Sequence, residues 1–225
     1  DEVRFFIDTK DDNIYIMEEF VNGYVQTYDA IIDSKGEPLF ESGNVTPLSL
    51  MDVVNDNGDS VYYLVKDLPE KVRQAGLATI KSFGVKSRFV HLEFFILNED
   101  QEGLGKKGDV LGLEVNMRPA GGFTPEMYNY SQETDVYKIW ADMIAFDYNT
   151  KDIGNHHFCA FYGRRDGKHY KLDDYEVMMK YGQNMVMWGR IPDALSGAMA
   201  NQMYVANFDT EEEMMAYYED LAAQY

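Results

Sequence analysis

The stretch VLGLEVNMRPAGG, residues 110–122, has the pattern of a strand that runs into a glycine-rich turn. Successive side chains of a strand point to opposite faces of its sheet. Glu114, Asn116 and Arg118 therefore share one face, with the apolar side chains between them on the other. A carboxylate, an amide and a guanidinium thus follow one another along a single polar face.

A second strand is read from VHLEFF, residues 90–95, in which Glu93 shares a face with His91. If the two strands pair as neighbours across the loop 98–109, Glu93 and Glu114 come within reach of one metal ion. Magnesium prefers carboxylate, amide and phosphate oxygens, so this face suits a metal and a phosphorylated ligand. The periodicity alone fits equally well the solvated face of a half-exposed antiparallel sheet.

The remaining sequence predicts an α+β protein with most of its strands in the first half. β-Branched and aromatic residues in short alternating runs indicate the strands. These runs are residues 3–8, 13–21, 24–33, 37–42, 60–66, 87–97, 109–118, 156–163 and 184–191, with a hairpin turn at 33–36. Helical spacing predicts helices over residues 69–83, 131–146, 173–182 and 209–225.

Start and stop signals accompany three of the predicted helices. The first has Pro69 in its first turn and Gly84 after its last residue. The second is expected to begin at Ser131 or Thr134. The last opens with the T-x-x-E pattern of a capping box, in which Thr210 is the cap.

Composition narrows the classes of partner. The chain carries 20 Lys and Arg against 39 Asp and Glu, a formal charge of −19. Such a charge repels nucleic acid and anionic membranes, and neither is expected as a partner. The single cysteine, Cys159, excludes an intrachain disulfide and suits a cytoplasmic location. His156 and His157 lie near it, but adjacent residues of a strand point to opposite faces, so zinc is disfavoured.

The order EVNMRPAGG, residues 114–122, after a strand bearing HLEFF resembles the carboxyl-terminal part of the ATP-grasp superfamily. The resemblance is to the biotin carboxylase and carbamoyl-phosphate synthase large-chain branch. It implies a mostly antiparallel sheet flanked by helices, with a smaller mixed α/β tail. Residues 1–150 would form the nucleotide and magnesium subdomain, and residues 151–225 the tail packed on it.

The resemblance also implies roles for the residues of the polar face. Glu93, Glu114 and Asn116 would hold Mg²⁺ against the phosphates of ATP, with Mn²⁺ as an alternative metal. Arg118 would stabilise the phosphorylated intermediate, a task that suits its fork of donors. The alternative for Arg118 is a salt bridge to a nearby acid. The glycines at 121–122 would let the backbone approach the substrate, or form a plain turn.

A second resembling segment is IYIMEEFVNGYVQTYDAII, residues 14–32. In the family, its counterpart forms the hinge that holds adenine. The residues implied to line the purine are Glu18, Glu19, Phe20 and Val21. An ordinary strand and turn is the alternative. On the returning strand, Tyr28 and Asp29 either touch the ribose or support the sheet.

The implied activity is that of an ATP-dependent ligase, which phosphorylates a carboxylate or bicarbonate so that an amine or similar nucleophile can attack it. Its partners would be ATP and a small carboxylate or amine substrate, and a homodimer is left open. The family's amino-terminal domains, with their phosphate-binding lysines and glycine-rich lid, are not found in this sequence, so a fragment of a longer chain is expected, inactive alone. A non-catalytic binding or assembly module derived from the same fold is the alternative.

Overall fold

The computed structural model describes residues 18–47 and 58–225. These residues form a nine-stranded antiparallel sheet with six helices, an α+β fold as expected. The predicted strand at 3–8 and the first part of the one at 13–21 lie outside the described residues, and the described end of the latter, residues 18–21, is not part of a strand.

The strands are β1 Gly23–Ile32, β2 Pro38–Ser42, β3 Asn44–Thr46, β4 Ser60–Leu64, β5 Arg88–Leu97, β6 Val110–Asn116, β7 Phe158–Arg164, β8 Met185–Arg190 and β9 Gln202–Phe208. The helices are α1 Glu70–Phe83, α2 Thr124–Ser131, α3 Val136–Phe146, α4 Asp174–Tyr181, α5 Asp193–Met199 and α6 Glu211–Ala222.

The strands follow the order β6-β5-β1-β3-β4-β7-β9-β8, and β2 pairs with β1 beside β3. The longest ladder joins β1 to β5, from Gly23 opposite Leu97 to Ile32 opposite Arg88. β5 pairs on its other side with β6. The polar strand β6 is therefore the edge strand next to β5.

β5 separates an apolar face from a polar one. Val90, Leu92 and Phe94 point into a cluster shared with α1, whose Val72 and Ile80 are buried there. The intervening side chains of β5 point to the opposite face, as the alternation of a strand requires. Burial of one face of β5 under α1 thus sets the direction of its functional side chains.

Two further clusters cover the rest of the sheet. In the first cluster, α2 and α3 pack against the sheet through Met127, Tyr128 and Ile139. In the second cluster, α4 and α6 pack against β7 and β9, and Tyr217 and Leu221 are fully buried.

Several predicted helix ends are confirmed and one is wrong. α1 ends at Gly84, whose φ of 60° lies in the left-handed region. The Thr210 capping box is formed at the start of α6. The helix predicted over 131–146 begins instead at Val136, because Asp135 accepts a hydrogen bond from the Lys138 amide at 3.0 Å. The segment before it is a separate helix, α2, which had not been predicted.

Within the described ranges, no helix is long and apolar enough to cross a membrane.

Candidate functional site

Glu93 on β5 lies directly opposite Glu114 on β6. The pairing comes immediately before a bulge, after which Phe94 pairs with Gly112 and the register shifts. Since directly opposed residues of an antiparallel pair share a face, the two carboxylates converge as the alternation predicts. Glu93 is half-buried and Glu114 is exposed.

Asn116 lies opposite His91, one step along the same face. Its Nδ2 atom is buried and has no hydrogen-bond partner among the described residues. Among the described residues, no group therefore fixes the orientation of the Asn116 side-chain amide by binding its nitrogen. Two carboxylates and such an amide are oxygen donors of the kind that Mg²⁺ takes, so this set of residues fits the metal.

Arg118 follows β6 and is exposed. Its Nη1 donates to the carbonyl oxygen of Pro119 at 3.0 Å. Its positive charge is one of the influences that lower the pKa of Glu93. The structure thus brings the charge of Arg118 near the carboxylate face.

A chain of hydrogen bonds runs beneath this face, and sequence reasoning did not identify it. Asp29 on β1 is fully buried and its Oδ1 lies 2.6 Å from His91 Nδ1. His91 Nε2 lies 3.2 Å from Glu93 Oε1. Thr27 donates its hydroxyl to the other oxygen of Asp29. Asp29 thus supports the sheet rather than reaching out to a ligand.

The signal for this chain of bonds is present in the alternation of the two strands. Thr27 and Asp29 share one face of β1, as His91 and Glu93 share one face of β5. In the observed register, Thr27 pairs with Glu93 and Asp29 with His91. The alternation does not show that β1 and β5 are neighbours, so it could not predict that the polar pair on one strand contacts the polar pair on the other.

The charges along this chain keep Glu93 ionised. Burial opposes protonation of His91, but the charge and hydrogen bond of Asp29, with those of Glu93, raise the pKa of His91 to about 10. The hydrogen bond from His91 in turn lowers the pKa of Glu93, although burial acts against it. At neutral pH a protonated imidazole therefore holds the Glu93 carboxylate in place.

Next to the carboxylates is a pocket of about 340 Å³. His91, Glu93 and Thr27 line one wall, and the glycine turn after β6 lines another. Gly122 has a φ of 61°, and a Cβ there would meet Met199 Sδ at 2.9 Å. The turn therefore favours glycine for its left-handed backbone conformation, and an added Cβ would also displace the end of the flexible Met199 side chain.

The proposed adenine hinge lies at the other end of β1. Phe20 is 79% exposed, and Glu18 and Glu19 are also exposed. Asn22, which follows Val21, accepts on its backbone oxygen from the Asn98 amide at 3.0 Å. Gly23 pairs with Leu97, which lies four residues after Glu93 on β5, or about 13 Å along the strand. The start of β1, next to the hinge residues, is therefore well separated from Glu93 along the sheet.

The histidines near Cys159 are occupied with other groups. His157 lies 2.9 Å from Asp209 Oδ1 and 3.3 Å from Glu133 Oε1, while His156 Nδ1 lies 3.1 Å from the Lys66 carbonyl. Cys159 is fully buried. Throughout residues 18–47 and 58–225, no three His, Cys, Asp or Glu side chains are arranged to hold a metal.

Comparison of the sequence with known proteins does not identify a relative. No protein-family model matches the chain. No curated protein matches it either.

Comparison of the structure with solved structures does find similar proteins. The L-amino acid ligase from Bacillus licheniformis superposes with a TM-score of 0.62 at 16% identity, over 90% of this chain and 51% of that one. The phosphoribosylaminoimidazole carboxylase ATPase subunit from Aquifex aeolicus gives 0.61 at 14% identity, over 91% and 60%.

A third similar structure contains nucleotide. The biotin carboxylase domain of the 2-oxoglutarate carboxylase from Hydrogenobacter thermophilus, solved with MgADP, ADP and bicarbonate, gives a TM-score of 0.55 at 11% identity, over 91% of this chain and 46% of that one. The chain thus has the fold of these ATP-grasp proteins, in the biotin carboxylase-like form that the sequence resembles. It spans about half to three fifths of the length of the structures it matches.

Proposed function

We propose that this chain is the carboxyl-terminal part of an ATP-grasp ligase. The parent enzyme phosphorylates a carboxylate or bicarbonate with Mg-ATP, and an amine or similar nucleophile then attacks the acyl-phosphate. The observation that carries the proposal is the register of Glu93 with Glu114, because it brings two carboxylates together beside a pocket. We further propose that residues 1–150 form the nucleotide subdomain, that residues 151–225 form its tail, and that the enzyme is cytoplasmic.

In this proposal, Glu93, Glu114 and Asn116 hold Mg²⁺, with Mn²⁺ as a substitute. A metal held by these residues would supply positive charge to offset the charge that develops on the phosphates during phosphoryl transfer. Glu93 is ready for this role because His91 holds it ionised and oriented. Arg118 places its donors over the acyl-phosphate, where two parallel hydrogen bonds can form.

The hinge formed by residues 18–21 binds the adenine in this proposal. Its distance from the carboxylates along β1 and β5 supports an extended nucleotide, with the base at the start of β1 and the phosphates at Glu93. Phe20, which is largely exposed, then packs on the face of the purine. The loop 98–109 lies beside the hinge, since Gln101 Nε2 donates to the Phe20 carbonyl at 3.3 Å.

The decisive experiment uses the full-length parent protein. ADP release from Mg-ATP is measured with pools of carboxylates and amines, for the wild type and for Glu114→Gln. We expect Glu114→Gln to lower the rate at least 100-fold, because the metal loses one of its two anionic ligands while the side-chain volume is kept. Glu219→Gln, which removes an exposed carboxylate from α6, is the matched control and should retain the wild-type rate.

Metal binding gives a second readout that does not depend on turnover. Titration of Mn²⁺ followed by electron paramagnetic resonance should show weaker binding in Glu114→Gln than in Glu219→Gln. Equal activity and equal Mn²⁺ binding in both variants would overturn the magnesium assignment. A parent that binds Mn²⁺ through Glu114 but never releases ADP with any pool would support the non-catalytic module instead.

A further inference from the structure

A second pocket, of about 650 Å³, lies on the other half of the molecule. It is formed at the end of β7, where the chain turns through residues 165–172 into α4, and the ends of β8 and β9 close it. It shares no lining residue with the pocket beside Glu93. We call it the β7 pocket. Its volume is in the range of small-molecule sites.

Arg164, the last residue of β7, lines this pocket and is only 4% exposed. Its Nε donates to the Leu221 carbonyl at 3.1 Å and its Nη1 to the Leu172 carbonyl at 2.7 Å. Its Nη2 is buried and has no hydrogen-bond partner among the residues that the structure describes. A charged donor that is left without a partner inside a protein is costly, so such a group indicates an absent acceptor.

Neutral oxygens, rather than a carboxylate, bind the guanidinium of Arg164. Both of its hydrogen-bonded nitrogens reach backbone carbonyls. The carbon of the guanidinium lies 4.3 Å from the ring centroid of Tyr170 and 5.4 Å from that of Tyr204. These rings stabilise the cation by their electron-rich faces but do not neutralise it.

The next residue adds a second buried cation to the pocket wall. Arg165 is 7% exposed, and its three guanidinium nitrogens donate to the carbonyls of Gly58, Ser196 and Gly197. Two adjacent arginine charges are therefore buried at one pocket and bound by carbonyl oxygens. Neither arginine has a carboxylate as a hydrogen-bond partner among the described residues, so an anion can offset their charge.

The other charged groups of the wall are largely engaged. Arg190 forms two hydrogen bonds with Asp166, at 2.7 and 2.6 Å, and Lys168 lies 3.0 Å from Asp59. Asp174, the first residue of α4, also lines the pocket and accepts the hydroxyl of Tyr204, whose ring lies 5.4 Å from the Arg164 guanidinium. Asp174 therefore competes with any anion for the field of Arg164.

We propose that the β7 pocket binds a small molecule through an oxyanion, a carboxylate or a phosphate, that accepts a hydrogen bond from Nη2 of Arg164. Arg165 adds attraction, and the rings of Tyr170 and Tyr204 flank the anion-binding guanidinium. This site is separate from the proposed ligase site, and it can be tested in the chain of residues 1–225 without any turnover.

The test measures saturable anion binding by nuclear magnetic resonance. Inorganic phosphate and succinate are titrated separately into the ¹⁵N-labelled chain, with sodium chloride at matched ionic strength as reference. We expect shifts of the Arg164 Nε–H resonance and of amides in residues 165–172 that saturate with phosphate or succinate but not with chloride. The anion that binds more tightly assigns the class of ligand. Absence of saturation with both anions would overturn the proposal.

Three variants then locate the site. Arg164→Gln should weaken binding at least tenfold, whereas Arg88→Gln, which removes an exposed arginine from the start of β5, should bind as the wild type does. Asp174→Asn should tighten binding several-fold, because it removes the competing carboxylate. Equal affinity in Arg164→Gln and wild type would refute the assignment.

Asp174→Asn also protects the test against a folding defect. If Arg164→Gln fails to give a folded spectrum, the affinity of Asp174→Asn decides: tighter binding than wild type supports the proposal, while unchanged or weaker binding contradicts it. A purely structural role for Arg164 does not predict a gain of affinity when a neighbouring exposed acid is neutralised.

Discussion

At the scale of single residues, the central feature is a buried ion pair beneath the proposed metal face. Asp29 is fully buried and its charge is balanced by His91. Burying a carboxylate is tolerated when a cation and hydrogen bonds compensate it, as His91 and Thr27 do here. The same imidazole orients Glu93, so one histidine serves both the stability of the sheet and the position of the ligand.

Removal of His91 should therefore destabilise the fold. We expect His91→Ala to lower the free energy of unfolding by about 3 kcal/mol, because the Asp29 carboxylate is left buried without a counter-charge. Urea unfolding followed by circular dichroism measures the change. His169→Ala, which removes an exposed histidine, should change stability by less than about 0.5 kcal/mol.

A double-mutant cycle separates the ion pair from simple loss of packing. If the two charges stabilise each other, Asp29→Asn combined with His91→Gln should cost less than the sum of the single changes, by at least about 1 kcal/mol. Strictly additive effects would mean that the contact contributes little to stability.

For the proposed site, sequence patterns were most informative about which individual side chains share a face. Alternation, together with pairing of the two strands across the loop 98–109, predicted that Glu93 and Glu114 share one face, and their register agrees. It could not predict the contact between His91 and Asp29, because that contact depends on which strand lies on the far side of β5. The roles of residues 18–21, Asn116 and Arg118 in nucleotide and metal binding remain predictions.

At the scale of elements, α1 shows how closely a helix can approach the sheet when a glycine is placed at the contact. Gly76 faces the ring of Tyr28, and a Cβ at this position would lie 2.3 Å from its Cγ. Tyr28 is fully buried and donates its hydroxyl to Glu41 at 2.7 Å. The ring is therefore held from both sides and cannot move away from the helix.

Gly76→Ala should consequently destabilise the chain by about 1–3 kcal/mol through overpacking, although alanine is the better helix former. Gly197→Ala is the matched control, since this helical glycine in α5 has open space at its Cβ position. It should be neutral or stabilising by up to about 1 kcal/mol. Thermal unfolding of both variants checks the comparison, and equal stability of the two would contradict the packing argument.

The elements that sequence patterns predicted are those with local signals. α1 and α6 carry capping residues or stop signals, and β5 has a clear division into two faces. β9 was missed because most of its residues are buried on both faces, which removes the alternation. α2 was missed because it begins at a Thr-Pro pair directly after the glycine turn, which reads as loop.

At the scale of the whole molecule, strands from distant parts of the chain form one sheet. β4 pairs with β7, although α1, β5, β6, α2 and α3 lie between them in the sequence. Local patterns predict the strands but carry little information on such long-range pairing. The order of strands could therefore be learned only from the structure or from resemblance to a known fold.

Because Cys159 lies on an inner strand of this sheet, the reactivity of its thiol reports on unfolding of the whole sheet. It lies on β7 between Leu64 of β4 and Asn207 of β9, is fully buried, and has a pKa raised by burial. We expect no reaction with a thiol reagent in the native state and full reaction in guanidinium chloride. Glu219→Cys, with an added exposed thiol, should react at once with one equivalent. Rapid labelling of the native wild type would show that β7 opens independently.

The bulge after Glu93 separates a part of the chain that must keep its length from one that can change it. From the bulge to Asn116, each residue of β6 pairs with one residue of β5. An insertion there would shift this register and turn Glu114 away from Glu93. Beyond the bulge, the connection at 98–109 begins after that register is already set. Natural variation in length should accumulate in this connection, so that evolution can reshape the neighbourhood of the hinge while the carboxylate pair is inherited unchanged.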